Sequence, residues 1–520
     1  MTLRFMKVGY ESTIPSVGNN VAYLAVNNWD DYDHKSLFYL TVYDQHGQRF
    51  DVGDVKIGFV GQGIGWTEKS LPDVAFEGLA DDFFSLGQDV DYYRVIAEDL
   101  PEYIRLILLD KLKDVVNDWD LLERISDEPV FSVSLTRSVS SQVVFDQYRR
   151  VLNHDAVLTK YNFSYSKPAT DNYSGVALEF KVVPDTKPST NIHVLIGRNG
   201  IGKTTILSNM VRSLVFQKYD ESGCFFDNES SDLENNIIDP GSYFSGVICV
   251  SFSIFDKFTP PKDQEDPNEG ICFSYVGLKE LLDSGGVNIK DPEQLEDEVV
   301  ESLKVCFSLV KKKQRWLKAI GNLESDDNFA EMNLARLSEE VDEHELEKRA
   351  RNKYSRMSSG HAIVFYTITK LIEKIEEKTL VIIDEPESHL HPPLISAFIR
   401  ALSVLLSNRN AVGIIATHSP VLLQEVPKLC VSILTRLRLE GSIERPEQET
   451  FGENIGTLTR EVFDLEVSRS GFHDLLAKAV ESGKSYDEII KEYSEQIGGE
   501  ARAILKGMVY RRDHPQGGGV

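Results

Sequence analysis

A stretch with the spacing of a phosphate-binding (Walker A) loop lies near the middle of the chain. Residues 197–204 read GRNGIGKT, after an apolar strand-like run and before a helical run. Glycines let backbone N–H groups curl around phosphates, and the helix N-terminus adds partial positive charge there. We expect Lys203 to reach the phosphates and the Thr204 hydroxyl to take a Mg²⁺ position. A glycine-rich turn with an exposed lysine is the alternative, and it would not require this strand–loop–helix context.

Two further apolar runs end in residues that could act on a phosphate. The run 380–384 ends at Asp384, which is followed by Glu385, and the run 412–417 is followed by His418. Asp384 can hold Mg²⁺ through water, and Glu385 can polarise the attacking water. His418 can hydrogen-bond the terminal phosphate. The alternatives are a core strand that ends in exposed acids and a histidine that only caps a strand.

A cluster of small residues, Ser358-Ser359-Gly360-His361, follows a charged helical region and precedes an apolar helix. Such residues most often cap a helix. They also provide hydroxyls, N–H groups and a helix dipole, which are what a second anion site needs.

Composition excludes several classes of protein. The 520 residues include 82 acidic and 56 basic side chains, for a net charge of −26, and 41% are hydrophobic. The chain is therefore not disordered, and it is a poor general binder of nucleic acid or anionic membrane. No run is long enough to span a bilayer, and the first ten residues do not resemble a secretory signal. The five scattered cysteines fit a reducing compartment, so we expect a cytoplasmic protein without a membrane partner.

Taken together, these motifs resemble the ABC-type ATPases, a class that includes the SMC proteins, the double-strand-break repair ATPases and the OLD family. The shared segments come in that family's order: GRNGIGKTT (197–205), MSSGH (357–361), VIIDEPESHLHPP (381–393) and ATHSP (416–420). The DEPESHLHP variant resembles the OLD-like branch, and the Septu-type (PtuA-like) antiphage defence ATPases most of all. Some of these are associated with retrons. The resemblance implies an α/β fold, with an ABC-type head, a helical lobe and an N-terminal mixed α/β domain.

The resemblance also implies roles for individual residues. Two heads would sandwich two ATP molecules, with Glu385 as catalytic base and His418 as the switch histidine. Ser358 and Gly360 of one head would contact the terminal phosphate that the other head's Lys203 holds. The residues predicted to bind ATP are therefore Asn199, Gly200, Gly202, Lys203, Thr204, Thr205, Ser358 and Gly360, and Thr204 and Asp384 are predicted to hold Mg²⁺.

The partners implied by the resemblance are a second copy of the chain and an HNH-type nuclease. A reverse transcriptase with its msDNA, or another nucleic acid, is a further implied partner. The chain itself shows no nuclease motif, so the predicted enzyme is an ATPase that regulates a nuclease. Its hydrolysis can be slow if the protein waits in the ATP-bound state.

Two alternatives share the ATP motifs: an SMC-like DNA-repair ATPase without a long coiled coil, and an OLD-type ATPase without its nuclease domain. The insertion between the loop and the MSSGH segment holds no sustained heptad pattern, which disfavours the first. About 100 residues follow His418, too few for the usual OLD nuclease domain. A transporter subunit is disfavoured by the N-terminal extension and the SHLHPP loop.

Three features depart from the family pattern or stay open. The expected Q-loop glutamine is missing after the strand-like run 247–252, and the signature reads Ser-Ser-Gly-His. The basic stretch 311–318 is interpreted as a solvated helical face, with a nucleic-acid or partner contact as the alternative. His389 and His391 have no evident third ligand nearby, which disfavours a zinc site.

The predicted organisation has three parts. Residues 1–170 form a mixed α/β domain of unknown role, in which residues 45–47 look like a hairpin turn. Residues 171–470 form the ATPase head, with the helical lobe at about 285–375. Residues 471–520 form a C-terminal helical tail.

Overall fold

The computed structural model forms two compact units, Met1–Phe451 and Gly452–Val520. The residues described are 3–137, 142–153, 159–170, 173–230, 236–253, 258–266, 269–282, 286–340, 342–437, 440–467 and 471–514. The predicted domain boundaries near residues 170 and 470 remain predictions. The Q-loop position expected after the strand at 246–251 lies in a segment that is partly outside the described residues, at 254–257.

The N-terminal part of the first unit is built around a five-stranded sheet. The strands of this part of the chain, inside and outside that sheet, are β1 (Arg4–Val8), β2 (Val21–Val26), β3 (His34–Lys35), β4 (Leu37–Tyr43), β5 (Arg49–Phe59), β6 (Gly65–Trp66) and β7 (Phe83–Gly87). Its helices are α1 (Val90–Arg94), α2 (Glu102–Lys111), α3 (Trp119–Ile125) and α4 (Gln142–Leu152), with helical turns at Thr67–Ser70, Val95–Asp99 and Phe131–Leu135. The sheet order is β1-β2-β4-β5-β7, and β3 pairs with β6. The antiparallel pairing of β4 with β5 confirms the predicted hairpin.

The rest of the first unit carries the ATPase motifs. Its strands are β8 (Tyr161–Lys167), β9 (Val176–Val182), β10 (Ile192–Ile196), β11 (Cys224–Asp227), β12 (Gly246–Ser251), β13 (Cys272–Gly277), β14 (Lys279–Leu281), β15 (Val287–Ile289), β16 (Leu380–Asp384), β17 (Val412–Thr417), β18 (Val431–Leu437) and β19 (Glu440–Glu444). Its helices are α5 (Lys203–Phe216), α6 (Tyr219–Ser222), α7 (Pro240–Tyr243), α8 (Pro292–Ser308), α9 (Val310–Leu323), α10 (Asp327–Met332), α11 (Glu343–Tyr354), α12 (Ser359–Lys374), α13 (Pro392–Asn408) and α14 (Pro420–Leu423). Single 3₁₀ turns lie at Leu334–Glu339, Pro386–His389 and Lys428–Cys430.

A seven-stranded sheet in the order β13-β12-β16-β17-β10-β18-β19 holds these motifs. All neighbouring strands are parallel except β18 and β19. β10, β16 and β17 are buried along their whole length, as expected for parallel strands covered on both faces. Asp384 pairs with Ala416, and Thr417 with Ile196, so the strand ends that carry the motifs meet at one edge. This confirms the predicted α/β fold class.

The helices α8 to α12 lie between β15 and β16 in the chain, where the helical lobe was expected. Among the described residues the longest helices are α8 and α13, with 17 residues each. None of the described helices is therefore long enough for an extended coiled coil. Helix α12 begins after Ser358, whose side chain accepts the backbone N–H of His361 as an N-cap.

One face of the basic helix α9 is covered, and two of its cations form ion pairs on that side. Lys312 lies 3.2 Å from Glu376, and Arg315 donates to Asp89 at 2.7 Å. Trp316 is fully buried. The interpretation of this stretch as a solvated face is therefore wrong for these three side chains. Periodicity alone does not show which face a neighbouring domain covers.

The second unit, Gly452–Val520, contains α15 (Ile455–Val467), α16 (Phe472–Glu481), α17 (Tyr486–Glu492) and α18 (Gly499–Asp513). Its small core is made of Leu476, Val480, Ile489, Leu505 and Val509. Throughout the described part of the chain, none of the helices combines the length and apolar character needed to cross a membrane.

Candidate functional site

The predicted phosphate-binding loop lies between β10 and α5, in the strand–loop–helix context that the sequence predicted. Gly200 and Gly202 have φ values of 81° and 101°, in the left-handed region that favours glycine. A Cβ on Gly197 would lie 2.4 Å from the backbone oxygen of Leu434, so a larger residue would not fit. No side chain caps the start of α5, which leaves its first N–H groups directed at an anion position.

Lys203 is the first residue of α5 and is buried. Its Nζ donates to the carbonyl oxygens of Gly197 and Arg198 at 3.0 and 3.1 Å. The same Nζ lies 3.8 Å from Oε1 of Glu385. Burial lowers the pKa of Lys203, and the charge of Glu385 opposes that effect. The loop and the carboxylate together hold the ammonium group at the mouth of the loop.

The other predicted loop residues are more accessible to solvent. Asn199 and Gly200 are exposed at the tip of the loop, Thr204 is half-buried, and Thr205 is exposed on the first turn of α5. Thr204 therefore lies beside Lys203 at the start of the helix, where its hydroxyl can meet a ligand of the loop.

The predicted carboxylates follow β16, two strands away from the loop. Asp384 is the last residue of β16 and is buried. Glu385 adopts a φ of 44°, which is uncommon for a residue with a side chain and is found most often at functional turns. Its backbone N–H donates to Ala416 on β17, which fixes the turn against the neighbouring strand. The carboxylate of Glu385 therefore points at the phosphate loop.

His418 completes this cluster, and a residue that sequence reasoning missed holds it in place. The buried carboxylate of Glu387 accepts the Thr417 hydroxyl at 2.5 Å and the His418 backbone N–H at 2.7 Å. His418 Nδ1 lies 3.1 Å from Glu387 and 3.5 Å from Glu385, without hydrogen-bond geometry to either carboxylate. The signal for Glu387 is its spacing two residues after Glu385, on the 3₁₀ turn Pro386–His389.

The structure places the Ser358–Gly360 turn apart from this cluster. Among the described residues, no hydrogen bond or ion pair joins Ser358 or Gly360 to Lys203, Glu385 or His418. Ser358 is exposed, and its hydroxyl lies 2.6 Å from Nδ1 of His361. A Cβ on Gly360 would lie 2.6 Å from the backbone oxygen of His389. Glycine is therefore required here by close packing of the turn against the loop after Glu385.

The fold and the site together define a AAA-type phosphate-loop ATPase domain. Residues 284–424 match a family described as "AAA domain, putative AbiEii toxin, Type IV TA system". That range includes Ser358, Asp384, Glu385 and His418, and it begins after the phosphate loop. The matched segment therefore covers the strand ends that carry Asp384, Glu385 and His418 but not the phosphate loop.

The chain belongs to the family of Protein ea59 of Escherichia phage lambda. The two sequences are 44% identical over 527 residues, a match that covers 98% of this chain and 99% of the phage protein. Among solved structures, an ATP-binding cassette of an ABC transporter (MJ1267, ADP conformation) is similar, at 13% identity and a TM-score of 0.31. It covers 56% of this chain and 93% of that one.

The SMC head domain from Thermotoga maritima is also similar, at 13% identity and a TM-score of 0.28, covering 56% of this chain and all of that one. Both structural scores are too low to assign the chain to the ABC or SMC subclass.

Proposed function

We propose that the chain is an ABC-type ATPase that closes head-to-head on a second copy with ATP between the heads. We further propose that it regulates a partner nuclease in antiphage defence, as in Septu-type systems. The observation that carries the ATPase proposal is the convergence of Lys203, Glu385 and His418 at the carboxyl ends of three adjacent parallel strands. Ligands of open α/β sheets bind at such an edge.

The contacts among these side chains suggest their roles in hydrolysis. A terminal phosphate that enters between Lys203 and Glu385 would attract the ammonium group and free the carboxylate. Glu385 would then polarise the attacking water, and His418 would hydrogen-bond the phosphate. Glu387 would act as a positioning residue, because it accepts the His418 backbone N–H and lies 3.1 Å from Nδ1 of the ring.

The residues available for Mg²⁺ fit a hard cation. Asp384 supplies a buried carboxylate at the strand end, and Thr204 supplies a hydroxyl on the first turn of α5. Burial lowers the pKa of Lys203, and the negative charges of Glu385, Asp384 and Glu387 oppose that shift. All three carboxylates therefore lie close to the ammonium group. Because acids outnumber the cations here, bound Mg²⁺ would supply the positive charge that a triphosphate needs.

A head-to-head dimer is supported by the position of the Ser358 turn. Its exposed hydroxyl and helix start have the chemistry of an anion site, yet among the described residues no hydrogen bond or ion pair joins them to Lys203, Glu385 or His418 of the same chain. A second copy would let this turn reach the phosphate held by the other chain. The same arrangement would give Ser358 and Gly360 the role that the family resemblance implies.

Lys203→Ala tests the nucleotide site. We expect ATP affinity to fall about 10- to 100-fold, because a charge-assisted hydrogen bond contributes about 1.5–3 kcal/mol. The measurement is binding of a fluorescent ATP analogue with Mg²⁺. Lys218→Ala is the matched control, because Lys218 is exposed just beyond the same helix. Equal affinity of Lys203→Ala and the native chain would contradict the phosphate-loop assignment.

Glu387→Gln tests the positioning role. The glutamine keeps the size of the side chain but loses the charge next to His418, so we expect kcat for ATP hydrolysis to fall about 10- to 100-fold. The KM for ATP should stay nearly constant, because Lys203 still binds the phosphates. A rise in KM with unchanged kcat would instead show that Glu387 supports ATP binding.

The defence proposal is supported by the family context. The related Protein ea59 comes from a phage, and the family description matched by residues 284–424 names a toxin and a type IV TA system. A prophage that carries such a protein could exclude competing phages. Within the proposal, this chain is the ATP-dependent partner of an HNH-type nuclease, with a reverse transcriptase and msDNA as further partners.

Co-expression with nuclease genes from the same locus tests this part. We expect a complex whose nuclease activity changes with ATP, together with fewer plaques from challenging phages. A chain that forms no such complex but restores growth after DNA damage would favour the SMC-like repair alternative. DNA cleavage by the purified chain alone would contradict the proposal that the nuclease is a separate protein.

A further inference from the structure

Three potential metal ligands from separate parts of the chain meet beside the Ser358 turn. Asp326 precedes α10, His361 lies on the first turn of α12, and His391 precedes α13. Nε2 of His361 lies 3.1 Å from Oδ1 of Asp326, and Nε2 of His391 lies 3.6 Å from its Oδ2. One ligand atom from each residue can be chosen so that all three lie within 4.8 Å of one another.

We propose that Asp326, His361 and His391 bind a borderline divalent transition-metal ion such as Zn²⁺. Two imidazoles and one carboxylate form a ligand set that suits such ions, whereas Mg²⁺ prefers oxygen ligands. This site is separate from the Mg²⁺ position at Thr204 and Asp384.

The spacing of the ligand atoms is compatible with a shared metal ion, although the shorter separation is also that of a hydrogen bond. Two donor atoms each about 2.1 Å from a tetrahedral ion are about 3.4 Å apart. The observed separations of 3.1 and 3.6 Å lie on either side of that distance. The longer one exceeds a hydrogen bond, so Asp326 alone leaves His391 Nε2 without a close acceptor. A small inward movement of His391 would complete the site.

The surroundings hold the ligands in place and leave access to solvent. Asp326 is buried, and its Oδ1 also accepts the backbone N–H groups of Asn328 and Phe329. The His391 side chain is 48% exposed, which gives an ion an entry path and water for its remaining positions. Metal binding would replace the hydrogen bond between His361 Nε2 and Asp326 Oδ1, and the proton then carried by Nδ1 of His391 would displace the long 3.4 Å contact from Leu394 N–H.

Metal binding would also act on Ser358, a consequence that rests on the proposed ATPase function. When Nε2 of His361 binds a metal, Nδ1 carries the proton and donates to the Ser358 hydroxyl oxygen, 2.6 Å away. The Ser358 O–H is then free to donate to a phosphate oxygen. The metal would therefore prepare this turn for the ATP of a second copy.

Titration with Zn²⁺ tests the site. The native chain is titrated calorimetrically without nucleotide and with excess Mg²⁺, and Co²⁺ absorption serves as a second readout. Mutating a residue that only contacts a metal ligand lowers metal affinity roughly 10- to 100-fold. We expect His391→Ala, which removes a ligand itself, to lower Zn²⁺ affinity by at least that much. His389→Ala is the matched control, because His389 is exposed in the same HxH segment but lies outside the cluster. Its affinity should equal that of the native chain.

Equal Zn²⁺ affinity of the native chain and His391→Ala would overturn the site, and so would the absence of binding to the native chain. His391 is exposed, so its removal should not prevent folding. Thermal unfolding of the metal-free variant and native chains, followed by circular dichroism with a chelator present, checks this. Asp326→Asn should also lower Zn²⁺ affinity, since an amide is a poorer metal ligand than a carboxylate.

The link to Ser358 has its own test. Zn²⁺ is expected to strengthen ATP-dependent association of the Glu385→Gln chain, and Ser358→Ala should remove that response. If Zn²⁺ binds without changing association, the link is overturned and the metal site stands. If two Glu385→Gln chains do not associate even when ATP is present, the ATPase proposal fails. The Zn²⁺ titration still decides whether the metal site exists.

Discussion

Glu385→Gln is expected to lower ATP hydrolysis by about 100-fold or more while ATP stays bound. A positioned general base contributes about 10²- to 10⁴-fold, and an amide of the same shape cannot take the proton of the attacking water. The side chain lies at the site of the reaction, 3.8 Å from Lys203 and 3.5 Å from His418. Removing its charge also removes a repulsion of phosphate, so ATP should dissociate more slowly.

The measurement combines single-turnover hydrolysis with light scattering of the ATP-bound chain. We expect the Glu385→Gln chain to accumulate as an ATP-bound dimer, since closure no longer ends in hydrolysis. Glu425→Gln is a matched control, because Glu425 lies beyond α14 and, among the described residues, no hydrogen bond or ion pair joins its side chain to the site. Native turnover in the Glu385→Gln chain would show that another group activates the water.

The motif residues of the site could be predicted from local sequence because strand ends position them. An apolar strand must be buried, and parallel strands place their carboxyl ends at one edge. Lys203, Asp384 and Glu385 each adjoin such a run, so the strand pattern brings them together. The register of β16, β17 and β10 supports that placement. Their roles in catalysis remain predictions until the variants are measured.

Other parts of the site could not be predicted, because they depend on contacts between distant segments. An acidic residue in a loop is normally exposed, but the 3₁₀ turn after Glu385 directs Glu387 inward to Thr417. Asp326 looks like a solvated helix cap in the sequence, yet tertiary packing brings it to His361 and His391. The spacing of Glu387 after Glu385 indicates its position on the turn, but neither its contact with Thr417 nor the meeting of Asp326 with the two histidines follows from local sequence.

The basic helix α9 shows the same limitation for charge patterns. Its sequence predicts a helix, and the helix forms at Val310–Leu323. A cluster of cations usually indicates a solvated face, but the N-terminal region provides Asp89 as a buried acceptor for Arg315. The sequence of a helix alone does not show which of its faces another part of the chain covers.

Asp89 is the centre of a buried charge network, and Asp89→Asn is expected to destabilise the fold by about 3 kcal/mol. Its carboxylate accepts from Arg315 at 2.7 Å and from Arg409 at 3.2 Å, and it caps α1. Burial alone would raise the pKa of Asp89, but the two guanidinium groups hold that pKa well below its usual range. Removing one partner of a buried ion pair costs about 3–5 kcal/mol, because the other charge remains buried.

The expected loss is measured as the shift of the urea midpoint at neutral pH, with ATP absent. Arg409 keeps its contacts with Glu376 and Glu377, whereas Arg315 loses its ion pair, so the cost should come mainly from Arg315. Asp73→Asn is the matched control, because Asp73, the partner of Lys7, is exposed to solvent and its removal should change the midpoint little. Equal midpoints for the Asp89 and Asp73 variants would mean that water or a rearranged side chain solvates Arg315. If instead only Asp89→Asn is destabilised and its ATP hydrolysis also falls, the network links the N-terminal region to β17, the strand that precedes His418, because Arg409 lies just before that strand.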